Sequence, residues 1–126
     1  MKSYDIQKIW HIKIYCDDIS ETIRRFGADY DIFVKDKDYF RSLSMCIMQI
    51  GELSKNLSEE FRTNTSSIIS WDVIDSMSSH ALYIFVHTFD SKEKNLVWKM
   101  ATEDIPMLSQ FCYNVIHYSY YNAVSG

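Results

Sequence analysis

His80 and His87 are the two side chains of this chain whose type and spacing could do chemistry. Imidazole exchanges protons near neutral pH, so it can act as general acid or base without a specialised environment. On a helix, seven residues at 100° each bring both rings back to one face, within about 20°. As metal ligands they form a poor set, because no carboxylate stands at matching spacing; neither metal nor cofactor is expected. His11 and His117 have no partner at a telling spacing and read as surface or packing residues. Glu52, beside Gly51, is either a polar residue facing a groove or an ordinary solvated glutamate.

Cys16, Cys46 and Cys112 are odd in number and widely spaced, which makes neither a disulfide framework nor a zinc pattern. Each lies in an apolar, helix-periodic stretch, so buried reduced thiols are expected, as suits a cytosolic protein.

The elements that position these residues read as helices. Only three Gly and one Pro interrupt 126 residues, which favours long helices over short strands with tight turns. The first helix is expected to start after Ser3 as its cap and to stop at Gly27, with Ile12, Cys16, Ile19, Ile23 and Phe26 on one stripe. Residues 28–36 read as a loop whose apolar Tyr30, Ile32 and Phe33 tuck inward. The second helix spans about 37–62, with Phe40, Leu43, Ile47, Ile50, Leu57 and Phe61 facing in. Gly51 inside it costs about 1 kcal/mol against Ala and implies close approach of another backbone. Residues 63–67 read as a loop and Ser70 as a cap. The third helix runs from Trp71 to about Val86; its apolar run, residues 81–86, predicts burial on most faces, with a short strand as the alternative. The last helix follows Asp90 and reaches about Asn122, with Pro106 kinking or restarting it and Asp104 near the new N-terminus.

Four amphipathic segments with short links predict an all-α chain, an antiparallel four-helix bundle in a single domain, residues 1–126. Hydrophobic content of 47% and charged content of 24% fit a globular protein. A net charge of -4 is unlike a strongly basic nucleic-acid binder; contact with RNA would need a local patch or a dimer cleft. No stretch has membrane-spanning length and the N-terminus has no apolar signal-like core, so a cytoplasmic location with no membrane partner is expected. The run 81–86 points to a homodimer through the third helix and the C-terminal half of the last; the aromatic tail (Tyr113, Tyr118, Tyr120 and Tyr121) is expected to pack on its own bundle, with a partner chain as the alternative.

Several segments carry a family resemblance covering most of the chain. Tyr15-Cys16-Asp17-Asp18-Ile19, Gln49-Ile50-Gly51-Glu52-Leu53, Trp71-x-x-Ile74 and, above all, Trp98-Lys99-Met100-Ala101-Thr102-Glu103-Asp104-Ile105-Pro106 resemble the HepT-like group of helical HEPN proteins. Members are the toxin half of a bacterial toxin–antitoxin pair. The resemblance implies a HEPN-like bundle, metal-independent endoribonuclease chemistry and a homodimeric cleft. It also implies a nucleotidyltransferase (MNT-like) antitoxin partner that can transfer AMP to a motif tyrosine. The family motif is an Arg, four to six residues, a His, then any residue and a Tyr. His accepts the proton of the attacking 2′-hydroxyl, and Arg offers a fixed charge to the phosphorane.

Counting back from Trp98 places the motif His at His87 and the Tyr at Phe89. The Arg then falls at Leu82 with four-residue spacing or at His80 with six. Counting forward from Trp71 places the Arg at Ser78 and the His at Tyr83. The counts differ by four residues (83 against 87), about one extra helical turn; the backward count needs no gap. Under it the His remains while Arg and the Tyr hydroxyl are missing. His80 and His87 then either substitute for the Arg/His pair, ligate metal, or line the groove without catalysing. The missing Arg could come from Arg24, Arg25, Arg41 or Arg62. Expected functions are therefore a ribonuclease weakened or silenced by the degraded motif, a non-catalytic dimeric module binding the antitoxin, or an unrelated helical scaffold.

Overall fold

Gly27 stops the first helix by chemistry that only glycine performs easily. Its φ is 114°, in the region disfavoured for L side chains, and its N–H still donates to the Ile23 carbonyl at 2.9 Å. The helix, α1, spans Ser3–Phe26. Ser3 is not its cap: Lys2 stands at the cap position, with no side-chain bond. The computed structural model describes residues 2–87 and 91–125, with side chains described for 2–87 and 93–118. Every element in it is helical, and no strand occurs among the described residues. Residues 81–86 lie wholly in a helix, which removes the strand alternative.

The expected loop at 28–36 contains a short helix, α2, Tyr30–Lys35, started by Asp29, whose carboxylate accepts from Asp31 N at 2.8 Å. Phe33 is fully buried, whereas Ile32 stays exposed. Asp36 caps α3, Lys37–Lys55, accepting from the N–H groups of Asp38 and Tyr39. The second helix does not continue to residue 62. It breaks at 56–58 and resumes as α4, Glu59–Thr65. A distant residue secures the break: buried Asp5 accepts from Ser58 N at 2.8 Å and Ser58 Oγ at 2.7 Å, while Ser58 Oγ accepts from Phe61 N. Leu57 and Phe61 are nevertheless buried, because the break preserves the direction of the stripe.

α5 is Trp71–His87 and α6 is Ser91–Lys99. The chain then passes through a π-helical turn, Met100–Asp104, closed by Ile105 N to the Met100 carbonyl, into α7, Ile105–Ser125. Pro106 follows directly and has no N–H to return to the preceding turn. α1 packs mainly on α3 and α7, and α3 packs on α5. Two cross-contacts show that α1 and the α3–α4 stretch run antiparallel, Tyr39 to Gly27 at one end and Ser58 to Asp5 at the other, and Lys13 to Ser109 ties α1 to α7. Phe33, Tyr39 and Trp98 form an aromatic knot with centroids 5.1–5.9 Å apart, joining α2, α3 and α6.

α3 and α5 approach so closely that a Cβ on Gly51 would lie 2.5 Å from Ser78 Cβ. This is the close approach that a mid-helix glycine implies. Polar bonds flank it: Ser54 Oγ to Asp75 at 2.7 Å, Arg62 to Asp75 at 2.6 Å, and Lys55 to Ser78 Oγ at 2.9 Å. Among the described residues no helix is long and apolar enough to cross a membrane.

Candidate functional site

α5 carries both histidines. Its buried side chains are Trp71, Ile74, Met77, Ser78, Ala81 and Ile84, and this inward stripe leaves His80, Tyr83 and His87 exposed on the other side. His80 and His87 share that face at about 10 Å of axial separation. The Tyr83 ring lies between them, with its centroid 4.8 Å from that of His87. His87 is the last described residue of α5.

The rest of the expected motif scatters. Leu82 is 52% exposed and, at 100° per residue, points about 140° away from His87. Ser78 is buried against Gly51 and turned toward α3, away from the histidine face. Phe89 lies outside the described residues.

The four arginines differ in their commitments. Arg62 is held by Asp75 at the far end of α5, and Arg24 is bound to Glu21. Arg25 is exposed on α1. Arg41 is exposed on α3, beside Phe40, whose ring stacks on Phe85 of α5 at 6.2 Å. The Phe40–Phe85 contact is not visible in sequence, because it depends on which helices become neighbours; the Tyr83–His87 contact is an i, i+4 pair within α5 and follows once the segment is helical.

The other reactive side chains are quiet. Burial pushes the Cys16 thiol up to about 12, the Cys46 thiol to about 11, and Cys112 up as well. None is a thiolate near neutral pH, and the three are free. Glu52 is a solvated partner of Lys55 at 3.1 Å, and exposed His117 stacks on Tyr113. Among the described residues no three His, Cys, Asp or Glu side chains form a group that could hold a metal ion.

The apolar run of α5 is only half covered. Ala81 and Ile84 are buried, but Leu82, Tyr83 and Val86 are 52–61% exposed. The expectation of burial on most faces therefore fails for one chain: α3 covers one side of α5 and the core a second, and nothing among the described residues covers the third. The Ala101–Pro106 segment does not border this face. It lines a groove of about 550 Å³ against α1, with Lys13, Asp17 and Ser109.

With this geometry in hand, comparison with known proteins finds one class of similarity. The chain is 28% identical over 100 residues to a protein named "Putative RNase" from Caldanaerobacter subterraneus subsp. tengcongensis. The match covers 79% of this chain and 83% of that relative. No family model matches the chain, and no solved structure matches it.

Proposed function

We propose that this chain is a weak, metal-independent ribonuclease of the HepT-like HEPN type, the toxin-family member of a toxin–antitoxin pair, with His87 as its acid–base residue. The observation that carries the reading is the likeness to the RNase-named relative across four-fifths of the chain. The exposed His87 of α5 is the acid–base group that such chemistry requires. The four long helices are read as one antiparallel HEPN-like bundle, bent near Pro106. Two copies pair through the exposed α5 face to enclose the cleft, in keeping with the association that apolar patches of this kind mark.

In the proposed reaction His87 takes the 2′-hydroxyl proton and the 2′-oxygen bonds to phosphorus. The P–O5′ bond breaks and the departing 5′-oxygen takes a proton from water, leaving a 2′,3′-cyclic phosphate and a 5′-hydroxyl. His80 assists from the same face. Loss of one charge-stabilising group commonly costs on the order of 10²–10³ in rate, and α5 has Leu82 where an arginine would serve; hence weak catalysis. The test is RNA cleavage by wild type against His87→Ala. Cleavage abolished in the variant supports the reading, and equal background signals in both refute it.

A second reading is favoured by a separate observation, the 52–61% exposure of Leu82, Tyr83 and Val86. It is a non-catalytic dimeric module whose α5 face engages a nucleotidyltransferase antitoxin. Light scattering and co-purification with that partner test it; a clean monomer at micromolar concentration contradicts the dimer.

A further inference from the structure

We infer that the face of α7 formed by Met107, Gln110, Asn114 and Tyr118 docks on the same face of a second copy of this chain, antiparallel about a two-fold axis. The inference is independent of the ribonuclease reading and of the α5 pairing. Phe111, on the same side of α7, packs on Trp71 at the start of α5, with ring centroids 5.7 Å apart. His87 is sixteen residues further along that helix, or about 24 Å along its axis. The α7 face is therefore a second surface, remote from the histidines.

Charge singles it out. α7 contains no Asp, Glu, Lys or Arg over 21 residues, in a chain that is 24% charged. The solvent side of a helix ordinarily carries charged residues, yet this side is open. Met107 is 62% and Tyr118 65% exposed, and Ile68, from the segment before α5, is 67% exposed. Gln110 and Asn114 are exposed as well. The four α7 positions lie within about 80° of one another at 100° per residue. Between them and Ile68 runs an open groove of about 640 Å³, floored by buried Phe61, Ile69 and Phe111, and none of its ten lining residues is charged. Tyrosine and methionine in place of Lys, Glu and Asp are the composition of an interface core.

The lack of charge also selects the occupant. A charged partner surface would lose its hydration here and find no opposite charge. The matching surface must be uncharged, and among the described helices α7 is the one without a charged residue. A two-fold axis makes one such patch complementary to itself. The amides set the direction. Gln110 Nε2 donates to Asn114 Oδ1 at 3.0 Å, which leaves Gln110 Oε1 to accept and Asn114 Nδ2 to donate elsewhere. With the copies antiparallel and the axis midway between these residues, each Asn114 Nδ2 meets the partner's Gln110 Oε1. The same register brings Met107 to the partner's Tyr118, a sulfur–aromatic pair. Parallel copies would set each amide against its own twin. From Met107 to Tyr118 the seam is about 17 Å long. Interfaces of that size are small, so association is expected on the order of 10–100 μM.

Sedimentation equilibrium of the whole chain, from about 1 to 300 μM, brackets that range. Wild type is expected to show an association step that Gln110→Lys weakens by about 10-fold or more, because each copy then buries an unmatched charge beside its twin. Val86→Lys, on the α5 face, is expected to keep that step. Asn114→Glu alone should associate poorly. Mixed with Gln110→Lys it should associate more tightly than either variant does alone, since the new carboxylate of one chain then faces the new ammonium of the other. Far-UV circular dichroism checks that each variant is folded. A wild type that stays monomeric throughout overturns the inference, and so does Gln110→Lys associating as wild type does, which leaves the α5 pairing as the self-contact. Loss of all association in Val86→Lys overturns it too. A mixture no tighter than its components overturns the antiparallel self-contact and assigns the face to a different protein.

Discussion

Gly51→Ala is expected to destabilise this protein, against the ordinary preference of helices. In an open helix the change gains about 1 kcal/mol. Here the new methyl would stand 2.5 Å from Ser78 Cβ, 2.7 Å from its backbone N and 2.8 Å from its Oγ. Favourable carbon contacts need about 3.5–4.0 Å, so α3 and α5 must separate by on the order of 1 Å. Two of the three clashing atoms, Cβ and N, cannot rotate away. Separation also stretches the Lys55–Ser78 and Ser54–Asp75 bonds, each worth about 1 kcal/mol. Overpacking typically costs about 1–3 kcal/mol; setting these losses against the propensity gain leaves a net loss of about 2 kcal/mol. For a chain of this length that lowers Tm by roughly 6–10 °C. Thermal and urea unfolding followed by far-UV circular dichroism measure it. Ser78→Gly in the Gly51→Ala background should recover part of the loss, since it removes Cβ and Oγ but leaves the backbone N. A Gly51→Ala protein as stable as wild type, or more so, would refute the close approach and the packing argued from it.

Asp5→Ala should cost about 2–3 kcal/mol in urea unfolding, because it leaves the Ser58 N–H and hydroxyl buried without their acceptor; an unchanged midpoint would remove Asp5 from the account of the break at 56–58. Alkaline pH should weaken the fold: the folded chain keeps thiol protons on Cys16 and Cys46 that the unfolded chain releases above about pH 9. That contribution is intact below pH 9 and is lost as pH rises through 11 toward 12; a urea midpoint that rises from pH 8 to 10.5 contradicts it. The same burial predicts that thiol reagents label the native protein slowly at pH 8 and rapidly only in denaturant. Wild-type cleavage should be weak and His87-dependent, and His87→Ala should reduce it to background.

Local chemistry wrote much of this structure into the sequence. The apolar steps Ile12–Cys16–Ile19 and Phe40–Leu43–Ile47–Ile50 read as helix and are buried, because 3.6-residue periodicity is a property of neighbours in the chain. Gly27 as a stop and Gly51 as a close approach were equally legible, since glycine's missing Cβ has few other uses at a helix end or mid-helix. The break at 56–58 was not: Leu57 and Phe61 keep the stripe in phase, and the group that secures the new helix start, Asp5, lies 53 residues away. The helix α2 was hidden because six residues carry too little periodicity to declare themselves. That His80 and His87 share one exposed face of α5 follows from their seven-residue spacing. The Tyr83–His87 contact is an i, i+4 pair that follows from the helix alone. That Ser78 packs against Gly51 and that Phe40 stacks on Phe85 were settled by helix pairing. Such contacts join residues far apart in sequence, and only the packing of α3 on α5 sets their register and facing.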